Sequence, residues 1–593
     1  MAPLPVALPL VVAAVLIACA HILPPQWPDA ISSLTAAVVA VIAVYLAGAA
    51  AAGPLVYWYG GWTPRHGVAI GIAFVVDPAG AGCAAFVAVL FVASFVFAWG
   101  YFDEVHARYH ALMLIFLAAM AGFSLTGDLF NFFVFFELMS TVAFALTGYK
   151  LESSALEGAL NFTVTNGIGS FLMLGGIGLV YGRTGALNFA QLSRALAGHP
   201  ADALVVLGFT LLIGALLIKA AIVPFHFWIA DAHSVAPSPV CVIFSGVMVP
   251  LALFGAARLY WSVFRSAGFD PALLRGLLVS LGTATALLGG AVALMQRDVK
   301  RLLAFSTTSH MGVLLVGIGL LSAQGLAGGM LYLLGHGMVK GALFMVGGIL
   351  LAACAGIDEI ELRGAGKGLP AVGIAYALGG LLLAGLPLGL EHQGRELIDT
   401  AAEAHGYSYL GLILSIAGGL TSAGILRGAG RIFLALGPEP GEEEESPSEE
   451  EREKQDRPVW LMLLPIAVLL AAELVLELFP IGAAVRRAAA AFTGTGPLTA
   501  HVLDGAAWTS PPPPPAGHGT HAIGPAIGLG VAVAIAALQL ARDHLPKLLP
   551  RISHLVLGPV LAGLDHLHNG VVGDYVAWIL LGLIVFGGVL AVG

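Results

Sequence analysis

The sequence predicts an all-α polytopic membrane protein with about 14–16 transmembrane helices, and three observations carry that expectation. Of 593 residues, 59% are hydrophobic and 10% charged, against about 25% charged in a soluble domain. Mean hydropathy is +0.93. Apolar runs recur from end to end, each near the roughly 20 residues that span a hydrocarbon core. The 77 glycines suit helices packed closely in lipid, where small residues let backbones approach. A net charge of −9 leaves no basic footprint for nucleic acid. Cys19, Cys83, Cys241 and Cys354 are scattered through apolar segments without a C-x-x-C pair. No metal site, cofactor or disulfide framework is therefore expected.

In chain order, spans are predicted near 5–22, 31–52, 81–100, 109–127, 129–149, 160–182, 204–229, 237–261, 273–295, 301–322, 326–352, 371–394 and 407–436. The first has no Lys or Arg before its apolar run and so reads as a retained helix rather than a signal peptide. Residues 54–80 hold Tyr57, Trp58, Tyr59 and Trp62 among glycines, the composition of a loop or hairpin at headgroup level. After the thirteenth span comes Gly437-PEPGEEEESPSEEEREKQDRP, which must lie in water. A fourteenth span is expected near 459–480. Residues 481–522 are weakly patterned and contain Pro511 to Pro515, a stiff spacer. A fifteenth span runs near 523–541, residues 542–570 suit a helix lying along the interface, and a last span runs near 573–592. The expected division is 1–108 for N-terminal helices and the interfacial loop, 109–261 and 273–436 for two repeats, 437–458 for the acidic loop, and 459–593 for C-terminal helices.

Two spans are interrupted. Lys219 sits in Leu204-VVLGFTLLIGALLIKAAIVPFHFW, five residues before Pro224. A lysine in hydrocarbon is costly unless paired, hydrated or neutral, and the proline frees backbone carbonyls and breaks the helix. About 160 residues later Leu382-LAGLPLGLEHQGRE is broken by Gly and Pro. Paired broken helices point to a transporter built from inverted repeats, here spans four to eight and nine to thirteen.

Ionisable residues at membrane depth are functional candidates by default. Glu137 lies in Gly127-DLFNFFVFFELMSTVAFAL, where an opposite charge on Lys219 would pair with it across helices. Lys340 lies mid-span in Tyr332-LLGHGMVKGALFMVGG, with His336 one turn earlier, a spacing that suits a proton relay. The plainer alternative is a histidine bonded to a carbonyl and a snorkelling lysine. His226, Asp231 and His233 follow the break at Pro224 and either line a water-filled cavity or sit at the membrane surface. His310, in Ser306-TTSHMG, is either a proton stop between the halves or a satisfied core histidine. Glu391, Arg395, Glu396, Asp399 and Glu403 cluster beyond the second break, as a water-facing helix end or a hydrated exit. Glu391 and Arg395 have i,i+4 spacing. Arg395 stays charged and so sets a field rather than carrying protons. Arg297-DVKRLLAFS reads as a short polar loop at a membrane surface. His518, His521, His566 and His568 lack cysteine partners and carry little metal signal.

Gly127-DLFNFFVFFEL, Lys219-AAIVPFHFWIADAHSVAPSPV, Asp298-VKRLLAFSTTSHMG and His336-GMVKGALF, in this order, resemble the proton-translocating antiporter-like subunit family. That family includes large membrane subunits of respiratory complex I, subunits of membrane-bound hydrogenases, and the A-type and D-type components of Mrp-type cation/proton antiporters. The likeness covers roughly 70–435 and is nearest to the D-type component of Mrp antiporters. It implies a fourteen-helix core of two inverted five-helix repeats, with helices 7 and 12 broken and buried charges along the midplane. It also implies that Glu137 is the fifth-helix glutamate, Lys219 the seventh-helix lysine and Lys340 the central lysine, switching as a chain that moves protons.

Three positions depart from the family pattern. Pro250 in Ser245-GVMVP stands where the family often has an eighth-helix lysine. The twelfth-helix pattern reads Gly385-LPLGLEHQGR, with Leu388 for a proline and Arg395 near a lysine position. Ala230 replaces a proline before Asp231. Asp565-HLHNGVVGDYVAWILLGLIVFGG resembles the last helix of the longer A-type or complex-I terminal subunits. The expected function is a subunit of a multi-subunit Na+/proton antiporter in a prokaryotic plasma membrane, partnered by other membrane subunits and working on protons and a monovalent cation. The rivals are a proton-pumping subunit of a redox-driven complex, with the redox groups in its partners, and a non-conducting coupling subunit.

Overall fold

A computed structural model describes residues 1–24, 26–102, 107–198, 200–439, 459–516, 523–542 and 571–592. Among them, twelve helices are long and apolar enough to cross a membrane, and four shorter apolar helices accompany them. The chain opens with α1 (Leu4–Ala18), α2 (Trp27–Ala50) and α3 (Pro78–Tyr101). Between α2 and α3 lies an antiparallel hairpin of β1 (Leu55–Trp58) and β2 (Ala73–Val76), pairing Leu55 with Val76. The expected interfacial segment is thus a hairpin, with Tyr57, Tyr59 and Phe74 stacked edge to face.

The central part is a fivefold pattern used twice. First come α4 (Ala107–Leu125), α5 (Leu129–Thr147), α6 (Ser153–Thr184), the short α7 (Phe189–Leu196), the broken pair α8 (Ala203–Lys219) and α9 (Trp228–Val235), then α10 (Ser238–Ile243) and α11 (Val249–Ser262). Then follow α12 (Pro271–Met295), α13 (Val299–Gly319), α14 (Ala323–Cys354), the broken pair α15 (Pro370–Leu383) and α16 (Gly389–Ala404), and α17 (Leu410–Leu434). From Leu129 to Val299 and from Ser153 to Ala323 the step is the same (299 − 129 = 323 − 153 = 170), and α6 and α14 both have 32 residues. The caps repeat too. Asp128 accepts from the Asn131 N–H and Asp298 from the Arg301 N–H, at 2.9 and 2.8 Å. Asp128 bridges to Asn188 and Asp298 to Asp358. Left-handed residues, Gly185 and Ala355, end α6 and α14. Five crossings are an odd number, so the second copy enters from the opposite side; that makes the repeats inverted.

Helix caps and small residues fix these elements. Asp202 caps α8 through the Val205 N–H at 3.0 Å. The Arg183 guanidinium beside it, together with that bond, holds its carboxyl below the usual range. Pro250 opens α11 and supplies no N–H; the turn before it, Phe244–Met248, widens into a π-helix. A Cβ on Gly337 would lie 2.4 Å from the Gly246 carbonyl oxygen, so α14 crosses this turn backbone to backbone. Likewise a Cβ on Gly335 would lie 2.4 Å from the Glu391 nitrogen, and one on Gly394 equally close to that of Tyr332. Helix α14 therefore lies directly on the second half of the second broken helix. Buried ion pairs tie the ends together: Asp77 with Arg258, and Glu359 with Arg427 and Arg431, the last two at 2.7 Å.

The C-terminal part holds α18 (Trp460–Val475), α19 (Ile481–Thr493), α20 (Thr495–Asp504), α21 (Ile523–Leu540) and α22 (Val572–Val592). The weak pattern of 481–522 hides α19 and α20. Their apolar faces are short, built largely from alanine with Phe492, Leu498 and Val502. Helix α21 meets the second break, where a Cβ on Gly528 would lie 2.4 Å from the Ala384 carbonyl oxygen. Helix α22 covers the first break: Gly582 abuts Pro224 and Phe225, and Tyr575 stacks on Phe227 at 4.9 Å. The acidic run from 440 to 458, the expected interfacial helix over 543–570, and His518, His521, His566 and His568 lie outside the described residues.

Candidate functional site

Lys219 ends α8 and is fully buried. Its ammonium donates to the Ser140 hydroxyl of α5 at 2.7 Å. The rings of Phe136, Phe144 and Phe162 surround it at 5.0, 5.7 and 5.5 Å. The anticipated direct pair with Glu137 is not formed. Among the described residues no carboxylate lies within ion-pair distance of Lys219. Glu137, one turn before Ser140, is partly exposed, and its Oε2 is enclosed without a partner. Ser140 and Glu137, three residues apart, share a face of α5; Ser140 takes the hydrogen bond, and Glu137 acts on the ammonium from farther off.

Beyond the break the groups turn inward. His233 is buried, its Nδ1 2.8 Å from the Ile229 carbonyl, and its ring packs on Phe244 and Phe344 at 5.7 and 5.3 Å. His226 is also buried, its ring tilted against that of Phe227 at 4.4 Å. Both histidines thus lie inside the fold rather than at its surface. Asp231 accepts from Asn161 at 3.2 Å and faces Arg301 at 3.8 Å.

Of the expected surface loop Arg297-DVKRLLAFS, only Arg297 and the cap Asp298 precede α13, and the rest is helix from Val299 on. Lys300 is fully buried and donates to the Ser234 and Ala236 carbonyls at 2.9 and 2.7 Å, closing the C-terminal end of α9. A cation at a half-helix C-terminus complements its dipole. Pro250 stands at the position of the missing eighth-helix lysine, and five residues before it the π-turn presents Ser245, whose hydroxyl meets that of Thr307 at 2.6 Å.

Lys340 is fully buried on α14 and donates to the Leu303 carbonyl at 2.9 Å and to the Ser306 hydroxyl. Snorkelling is thereby excluded. His336, one turn away, is fully buried with neither ring nitrogen partnered. Its ring lies 5.0 Å from that of His310. His310 Nδ1 is 2.5 Å from the Tyr332 hydroxyl and 3.3 Å from Glu391 Oε1, while Nε2 is 3.3 Å from Thr421. Ligand atoms of His310, His336 and Glu391 fall within 4.8 Å of one another, a donor set able to hold a metal ion. They are also a sequence of proton acceptors and donors beside a lysine.

Glu391 thus turns to His310. Arg395 pairs instead with Asp399 at 2.9 Å and donates to the Gly411 carbonyl at 2.8 Å, fastened to α17. Two acids from α18 and the turn after it complete the region: Glu473 accepts from the Glu391 N–H at 2.8 Å and Glu477 from the Gly389 N–H at 2.6 Å. Sequence reasoning missed both, along with Ser140 and Lys300. Glu473 carried a usable signal, an acid inside an apolar span. Lys300 had none, because it stands in a basic run typical of loops.

A family model described as "NADH:quinone oxidoreductase/Mrp antiporter, TM" matches residues 126–421. The N-type component of NADH-quinone oxidoreductase from Desulforudis audaxviator is 30% identical over 435 residues, 72% of this chain and 85% of that protein. The D-type component of the Na(+)/H(+) antiporter from Bacillus subtilis is 27% identical over 365 residues, covering 61% of this chain and 71% of its own. Among solved structures, a chain of an archaeal membrane-bound sulfane sulfur reductase superposes with a TM-score of 0.73 at 26% identity, covering 85% of this chain and 99% of that one. A chain of the Mrp complex from Dietzia sp. gives 0.71 at 26% identity, covering 85% and 98%. With this fold, these repeats and these motifs, the chain belongs to the NADH:quinone oxidoreductase/Mrp antiporter transmembrane family.

Proposed function

We propose that this protein is a membrane subunit of a multi-subunit cation/proton antiporter of a prokaryotic plasma membrane, and that it carries the proton path. The path runs from Glu137 and Lys219 through His233 and the Ser245–Thr307 hydroxyls to Lys340, then to His336, His310 and Glu391. The observation that carries this reading is that Lys219 in the first repeat and Lys340 in the second are both fully buried and each donates to a hydroxyl. Hydroxyls donate and accept at once, so they can pass protons between the titratable groups. Arg395, locked to Asp399, supplies a fixed positive field at the far end. The coupled cation is monovalent, sodium being the ion named for the Bacillus relative.

The test is proton flux in sealed vesicles containing the intact complex, read with a pH-sensitive dye. Lys219→Ala, Lys340→Ala and Glu137→Ala should each abolish cation-driven proton movement without loss of assembly. Flux that survives all three removes the path from this chain and leaves a coupling role.

A second reading follows from the resemblance to the oxidoreductase component and to a respiratory reductase. The same path would then be driven by electron transfer in partner subunits. Co-purification decides: antiporter components support the first reading, iron–sulfur proteins the second.

A further inference from the structure

Beside the second broken helix lies a cavity of about 440 Å³, lined by His392, Gln393, Glu396, Glu477 and Arg486 among others. Glu477, at its wall, is partly exposed and accepts the Gly389 N–H. Glu473, one turn deeper, is 0% exposed. One of its oxygens accepts the Glu391 N–H, and the other has no partner. The backbone comes this close because residue 389 is glycine: it has φ +93°, and a Cβ there would lie 2.6 Å from the Glu473 oxygen. Glu391 follows, buried, with Oε1 against His310 and Oε2 again unpartnered. Three carboxyls therefore lead in steps from a polar cavity to the histidine pair beside Lys340.

We propose that Glu477, Glu473 and Glu391 form the route by which protons pass between water in this cavity and the relay. In this role each carboxyl takes a proton on one oxygen and passes it on, and no bond to the helix is lost. Glu473 is suited to it because one oxygen caps α16 while the other stays free. The N-terminal end of a half-helix also favours an anion there. The inference rests on the relay reading above and adds two acids from the α18 region to it.

The experiment uses the intact complex in sealed vesicles, with Lys340→Ala beside Glu473→Gln. Glutamine keeps an oxygen for the Glu391 N–H and cannot exchange a proton. The expected result is normal assembly with at least a tenfold loss of proton flux. Infrared difference spectra after a pH jump should also lose a protonated-carboxyl band, a change that a capping role alone would not produce. Glu473→Gln at wild-type flux, with Lys340→Ala inactive, overturns the acid route and leaves the relay standing. Wild-type flux in both overturns the relay itself. Should Glu473→Gln fail to assemble, Glu477→Gln decides at the cavity wall: a large loss of flux supports the route, and unchanged flux overturns it.

Discussion

The ammonium of Lys219 has the Ser140 hydroxyl as its acceptor inside a wall of three phenyl rings. A hydrogen bond to a charged group is worth about 1.5–3 kcal/mol, and the rings add roughly 0.5–2 kcal/mol. Ser140→Ala should therefore shift the proton equilibrium of Lys219 by about ten- to hundredfold and slow flux. Ser140→Thr keeps the hydroxyl and should restore most of it. Both rates can be read in the same vesicle assay, and a full-speed Ser140→Ala would show that the hydroxyl does not hold the proton. Lys219, Lys340, His336 and His310 were legible in the sequence because a titratable group in an apolar run stands out. Their partners were not. Glu137 and Ser140 are one turn apart on the same face of α5, so which of them meets Lys219 depends on how far along α5 the end of α8 lies.

Between helices, close packing decides. Helices α14 and α16 touch at Gly335 and Gly394, so Gly335→Ala drives a methyl into the Glu391 backbone. Overpacking of this kind costs about 1–3 kcal/mol and pushes Glu391 away from His310. Thermal unfolding in detergent should occur at lower temperature, and flux should fall further than stability does. Gly276→Ala on α12 meets nothing within 4 Å and should leave both unchanged. The two breaks were legible from Pro224 and from Gly385-LPLG, since proline and glycine interrupt helices by known chemistry. The capping of α16 by Glu473 and Glu477 was not: an acid inside an apolar span marks Glu473 as buried but does not say which helix end it meets, and Glu477 at the span's end also suits a headgroup position. Lys300 was hidden for the converse reason, as its flanking charges resemble a surface loop.

Across the whole molecule, the two repeats carry their lysines on non-equivalent helices, Lys219 on α8 and Lys340 on α14, and the C-terminal helices α21 and α22 rest on the two breaks. Gly582 has Pro224 and Phe225 within 3 Å of its Cβ position, so Gly582→Val should lift α22 from the first break. Hydrogen exchange over residues 220–228 should then rise, with no change in α13. Unchanged exchange there would mean that α22 does not support the break. The repeat was visible from sequence only as two broken spans at similar distance. Its caps at Asp128 and Asp298 emerge once their partners at 188 and 358 are seen beside them.

The central claim is that Lys219 and Lys340 act in series on one path. The direct measurement is proton flux through the intact complex for Lys219→Ala, Lys340→Ala and the double variant. A single path requires each substitution to stop flux and the pair to do no more than either alone, since groups acting as a unit are not additive. Partial losses that multiply in the double variant would place the two lysines on separate routes and contradict the account.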